Sequence, residues 1–148
     1  MPSKRRDKVS EGGTALIEFL LVFPLLLLLF FGILDFGRAY NAYICLTDAA
    51  LAGAEYGASS GQSTNYSGMD TAATNDAAGL SGFSVTASKY CACSPGGASA
   101  SCTTICAGYG TPVGYVMVTA SATVPLLFRY TTVSATYSIK STAILRVQ

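Results

Sequence analysis

The chain has 148 residues, nine basic against eight acidic side chains, no histidine, and an apolar share of 51%. That length suits one domain, and a near-neutral charge gives nucleic acid no electrostatic footing. The missing histidine removes the commonest general base and the commonest metal ligand, so enzymatic readings start at a disadvantage and neither a cofactor nor a metal is expected.

Residues 1–13 form a short polar leader carrying Lys4, Arg5, Arg6 and Lys8. From Thr14 to Leu34 the one charged residue is Glu18. A helix needs roughly 20 apolar residues to cross a hydrocarbon core, so a membrane span is expected at about residues 16–36. The basic residues precede the run, while Asp35 and Arg38 behind it nearly cancel, which orients the N-terminus to the cytoplasm and exports the rest. A secretory signal would have a shorter apolar core with small residues after it. Here Gly12 and Gly13 stand before the run, so a cut at the glycines leaves the hydrophobic helix attached to the mature chain.

Two residues inside the run call for explanation. Glu18 is costly in hydrocarbon and invites a named partner, against the alternative that it snorkels to the interface. Pro24 removes the hydrogen bond to the carbonyl of Leu20, which predicts a kink or local loosening.

Phe36, Tyr40, Tyr43, Ile44, Thr47, Leu51 and Ala54 keep helical spacing past the run, so one helix is expected over residues 14–57. At 1.5 Å per residue it is about 65 Å long, and the part beyond the bilayer stands in the exported space. Ala49, Gly53 and Gly57 fall at i, i+4 and i+8, either a stripe for close approach of another element or the end of an alanine-rich helix. Cys45 reads as a packed thiol.

Residues 58–148 are expected to form a small exported domain. Residues 58–68 are a loop by composition, and residues 69–80 a short second helix ending near Gly79. From Phe83 the period becomes two: Phe83, Val85 and Ala87; then Val116, Val118, Ala120, Ala122 and Val124; then Val133, Ala135, Tyr137, Ile139, Ala143, Leu145 and Val147. Three strands with one polar face predict an α+β fold, a small antiparallel sheet laid against the exported half of the long helix. Three short strands alone have too little core without that helix.

Between the first two strands lies a cysteine-rich loop, residues 91–106, with Cys91, Cys93, Cys102 and Cys106. Two disulfides, a four-thiolate zinc site and free thiols are the three readings. Export favours oxidation, and Cys-x-Cys is tighter than the usual zinc knuckle. Four cysteines allow three connectivities and spacing does not choose among them; the expectation is that Cys91 and Cys93 pair with Cys102 and Cys106 in one order or the other. Residues 125–130, PLLFRY, are an apolar knot that fills the sheet end, meets a partner or touches the membrane surface.

The segment Gly13-Thr14-Ala15-Leu16-Ile17-Glu18-Phe19 resembles the G-x-x-x-x-E-[FY] processing site of prepilin-like proteins of Flp/Tad pilus systems. Residues 17–58 are similar to the TadE-like family, through Glu18, Phe19, Pro24, Gly32, Phe36, Gly37, Arg38, Ala39, Leu46, Thr47, Ala49, Ala50, Gly53, Ala54 and Tyr56. Asp35 and Glu55 stand where many relatives carry Glu and Arg. The resemblance implies a pilin-like minor pilin or pseudopilin of a Flp/Tad-type IVb pilus, single-pass in the inner membrane. It implies cleavage by a prepilin peptidase between Gly13 and Thr14, and partnership with other pilins and inner-membrane assembly components in a hetero-oligomer or filament. Glu18 would then neutralise the new α-amino group within or between subunits. The alternatives are an uncleaved signal-anchored binding module and an exported redox or metal protein using the four cysteines.

Overall fold

The computed structural model describes residues 11–94, 97–103, 105–127 and 135–147. Lys4, Arg5, Arg6 and Lys8 of the leader, residues 128–130 of the apolar knot and the expected strand positions 132–134 lie outside the described residues. Helix α1 spans Glu11–Ala58 and contains Pro24. The chain divides into two compact units, Met1–Gly37 and Arg38–Gln148.

The described part of the first unit is helical throughout. Its leucines are exposed on every side, Leu21 at 78%, as are its phenylalanines apart from the half-buried Phe31, Phe36 at 73%. Phe19 and Phe23, one turn apart, bring their rings to 5.2 Å. A helix apolar all round belongs in lipid or in a core, and this is the one helix among the described residues long and apolar enough to cross a membrane. It is compatible with a single-pass anchor.

The second unit joins the last twenty-odd residues of α1 to α2 (Tyr66–Asp76) and the strands β1 (Ser84–Ala92), β2 (Ser99–Ala100), β3 (Val113–Pro125) and β4 (Thr136–Arg146). The strands form one antiparallel sheet in the order β2-β1-β3-β4. The α+β architecture agrees with the sequence, with a fourth strand added. β2 pairs only Cys91 with Ala100 and Ala92 with Ser99, and two residues carry no readable period.

Alternation decides which face is buried. On β3, Val116, Val118, Ala120, Ala122 and Val124 point to the helix and are buried. On β4 the half-buried positions are Tyr137, Ile139, Ala143 and Leu145, and the polar member of that face, Ser141, is buried. Leu46 and Ala50 pack with Ala120 and Ala122, and Ala54 packs with Val116 and Val118. The helix therefore runs antiparallel to β3, with Arg38 at the Pro125 end, where its Nη1 donates to the Pro125 carbonyl at 3.5 Å.

The buried face of α1 is made of small residues. Ala49, Ala50, Gly53, Ala54 and Gly57 are buried, whereas Tyr40, Tyr43, Ile44 and Leu51 are exposed. The small-residue stripe thus serves close approach within the chain. A Cβ on Gly53 would stand 2.9 Å from the Met69 carbonyl oxygen of α2 and 3.1 Å from Val118 Cγ1 of β3. On α1, Leu46 is the large side chain given to the core.

Helix α2 begins three residues before the expected Met69 and ends four before Leu80. The side chain of Asn65 accepts from the Gly68 amide at 3.0 Å, capping the helix in a stretch whose composition reads as loop. After Asp76 the chain turns through Ala77, with the Leu80 amide donating to the Ala77 carbonyl, and passes Gly79 at φ 95°. That positive φ favours glycine and stops the helix.

Candidate functional site

Three features stand out among the described residues: the start of α1, its exposed apolar surface, and the stapled loop. Gly13 and Glu18 both lie inside α1. Residues 14 and 18 are four apart in that helix, hence one turn and about 6 Å along the axis on the same side. Gly13 is exposed, with open space around the position of a Cβ, and Glu18 is exposed. A carboxylate thus sits one turn beyond the backbone nitrogen of residue 14.

The exposed apolar surface runs all round the helix in the first unit and narrows to one stripe in the second. Tyr40, Tyr43, Ile44 and Leu51 follow near-helical spacing on the side away from the sheet. Cys45, half-buried and unoxidised, donates from Sγ to Asn41 Oδ1 at 3.8 Å. Helical spacing alone extended α1 through these residues, and the large ones lie on its outer face while Ala54 is buried.

The four loop cysteines pair as Cys91–Cys102 and Cys93–Cys106, with Cα atoms 5.2 and 5.6 Å apart. Both bridges start from the end of β1, so the segment is tied down twice at one place. A reverse turn follows, in which the Cys106 amide donates to the Gly110 carbonyl at 2.7 Å and the Gly110 amide returns to the Cys106 carbonyl at 3.1 Å. Gly108 and Gly110 hold φ near 80° there, which only glycine adopts without strain. Cys91 and Cys106 are buried, while Ile105 and Tyr109 project at 79% and 71% exposure. With all four thiols consumed in bridges, the loop offers no thiolates to a metal.

Two arrangements were not anticipated from sequence. The Tyr56 hydroxyl donates to Gln62 Oε1 at 3.2 Å, and Asn65 Nδ2 donates both to Tyr56 Oη at 3.0 Å and to Gln62 Oε1 at 2.8 Å. This polar knot closes the α1–α2 turn and edges an open cavity of about 490 Å³ with Gly68 and Thr71. The other is the Ser141 hydroxyl, which meets Thr47 across the core. Its signal was present in the sequence, since Ser141 is the hydroxyl residue in an otherwise apolar alternating series.

The outer face of the sheet carries hydroxyls in register. Ser84 and Ser121 are 2.8 Å apart, and Thr119 and Thr142 are 3.1 Å apart. Near the stapled end Tyr90 stacks on Tyr115 at 5.5 Å. The hydroxyl pairs bind β1, β3 and β4 on the solvent side, while Tyr115 of the stacked pair is buried.

No curated protein and no solved structure matches the chain. Residues 13–55, which run from the glycine before the apolar run to the buried small-residue face in the second unit, match the family described as TadE-like protein.

Proposed function

We propose that the chain is a minor pilin or pseudopilin of a Flp/Tad-type pilus, synthesised as a single-pass inner-membrane precursor and cut by a prepilin peptidase after Gly13. The observation that carries this reading is the coincidence of the TadE-like match over residues 13–55 with one 48-residue helix on which large apolar side chains are exposed from Leu16 to Leu51. Such a helix is held by lipid before assembly and by neighbouring helices after it. Cleavage creates an α-amino group at Thr14, and Glu18, one turn on, is the carboxylate that neutralises it within the subunit or across to the next. Pro24, inside the span, weakens the helix locally and so eases its extraction from the bilayer.

The two disulfides support export of the second unit to an oxidising compartment, with the basic leader in the cytoplasm. Other pilins and inner-membrane assembly components are the partners, and the role is structural. The test is the N-terminal sequence of the membrane-associated protein from cells with and without the prepilin peptidase. A start at Thr14 that depends on the peptidase is expected. A chain still beginning at Met1 or Pro2 in peptidase-positive cells sinks the processing claim and leaves a signal-anchored binding module.

A further inference from the structure

β4 is an outer strand of the sheet, and among the described residues no strand pairs with its far edge. Its register with β3 is unbroken from Arg146 opposite Tyr115 to Thr136 opposite Pro125. Just beyond the two ends, the Val147 amide donates to the Gly114 carbonyl at 2.9 Å and the Leu126 amide to the Ala135 carbonyl at 3.0 Å. Opposed residues of an antiparallel pair exchange hydrogen bonds at every second position, so the odd-numbered residues of β4 turn their N–H and C=O groups to β3. Thr136, Ser138, Lys140, Thr142, Ile144 and Arg146 turn theirs to the open edge. We infer that this edge receives an extended, acidic segment of another protein, added antiparallel as a further strand. The inference uses the second unit alone and is independent of cleavage, membrane insertion and pilus assembly.

An extended backbone is the natural occupant of such a row, because its own amides and carbonyls repeat at the same spacing. Sheet edges are usually blunted by proline, a bulge or short length. β4 is 11 residues long and has no proline, and its pairing with β3 has no bulge. Its lysine stands on the outer face and leaves the edge itself open. On the inner face Ile139, Ala143 and Leu145 pack on the core shared by α1 and β3, yet they are only half-buried. An incoming strand with apolar residues at alternate positions would complete their burial.

Charge selects the partner. The four strands carry Lys89, Lys140 and Arg146 and no carboxylate. Lys140 and Arg146 are exposed on the outer face of β4, where an added strand places side chains directly opposite them. Opposite charges attract across such a pair and like charges repel. A second copy of β4 would bring two more cations and no carboxylate to this face, so a strand with Asp or Glu opposite Lys140 and Arg146 is the better fit.

Amide hydrogen exchange, read by NMR on the full chain in detergent micelles, tests this with a synthetic peptide as long as β4. The peptide alternates valine with threonine, and glutamate replaces threonine opposite Lys140 and Arg146. In the protein alone the odd-numbered amides of β4 should exchange slowly and the even-numbered ones fast. The peptide should slow the even-numbered amides and leave the odd-numbered ones unchanged, an alternation that a contact between side chains alone would not produce. A peptide with lysine in place of glutamate should bind about tenfold more weakly, and the double variant Lys140→Glu, Arg146→Glu should reverse that preference. Thr142→Pro removes an outward N–H and leaves the ladder to β3 intact, so it should keep the odd-numbered protection and abolish the effect of the peptide. Even-numbered amides already protected in the protein alone would mean that the edge is covered by this chain or by a second copy, and would overturn the inference. Equal binding of the two peptides overturns the acidic partner, and even-numbered amides that neither peptide slows overturn the docking edge itself.

Discussion

Thr47 Oγ1 and Ser141 Oγ stand 3.2 Å apart, joining α1 to β4 across 94 residues of sequence. Thr47 donates its one hydroxyl proton to the Tyr43 carbonyl at 2.9 Å, so Ser141 is the donor between them. The pair fixes the rotation of the helix over a core otherwise built from interchangeable small residues. Thr47→Ala and Ser141→Ala should each lower stability by about 1 kcal/mol, with a coupling of about 0.5–1.5 kcal/mol in the double variant. Denaturant unfolding of the full chain in detergent measures this, and strictly additive effects would show that the hydroxyls do not interact.

Gly53 and Gly57 should respond differently to the same added methyl. At Gly53 it would stand 2.9 Å from a backbone oxygen and 3.2 Å from Ala73 Cβ, neither able to yield. Overpacking there outweighs the helix-propensity gain of about 1 kcal/mol, and Gly53→Ala should destabilise by about 1–2 kcal/mol. At Gly57 the obstruction is the thioether of Met69, its Sδ 2.8 Å away. A flexible side chain swings aside, so Gly57→Ala should fall near neutral. Melting temperatures of the two variants decide, and equal losses would mean that Met69 is as fixed as backbone.

Asn65→Ala removes the N-cap of α2 and both donors to the Tyr56–Gln62 pair. Loss of a cap alone costs about 1 kcal/mol, and the two further hydrogen bonds raise the expected total to about 2 kcal/mol. Asn65→Asp keeps the cap but loses the amide donors, so it should recover roughly half. Proteolysis rates in the α1–α2 turn provide a second readout, rising for Asn65→Ala more than for Asn65→Asp.

Reduction should loosen the stapled loop before the sheet. The bridges join residues 11 and 13 apart, and closing loops of that size contributes about 2–3 kcal/mol each on the chain-entropy account. A reducing agent should lower the melting temperature and open the segment around Ile105 and Tyr109 to protease. Peptide mapping of the oxidised protein should recover Cys91 linked to Cys102 and Cys93 to Cys106. Recovery of Cys91 with Cys106 would contradict the connectivity described above.

The features with a strong period were legible from sequence: the apolar helix, the alternating strands β3 and β4, and the division of polar and apolar faces. What escaped was governed by closeness rather than period. Tyr40, Ile44, Thr47 and Leu51 share helical spacing with Leu46, Ala50, Gly53 and Gly57, and only contact with Met69 and Val118 shows that the small set is buried. The start of α2 was missed because Asn65, Ser67 and Gly68 are loop formers by composition, although Asn65 is also a good cap. Disulfide connectivity was open for lack of any spacing rule and follows from β1 ending between Cys91 and Cys93. Arg38 was visible as part of a family pattern, while its neighbour Pro125 lies 87 residues away.

The antiparallel run of α1 against β3 has a mechanical consequence. Arg38 sits at the Pro125 end of β3, while Gly114 at the other end pairs with Cys91 of the stapled loop. Tension applied between the emerging helix and that far end is directed lengthwise along β1, β3 and β4. The hydrogen bonds of an antiparallel ladder lie perpendicular to its strands, so such a load shears many of them at once instead of opening them singly. With the far end covalently closed by two bridges, the unit is arranged to carry tension along its own strands.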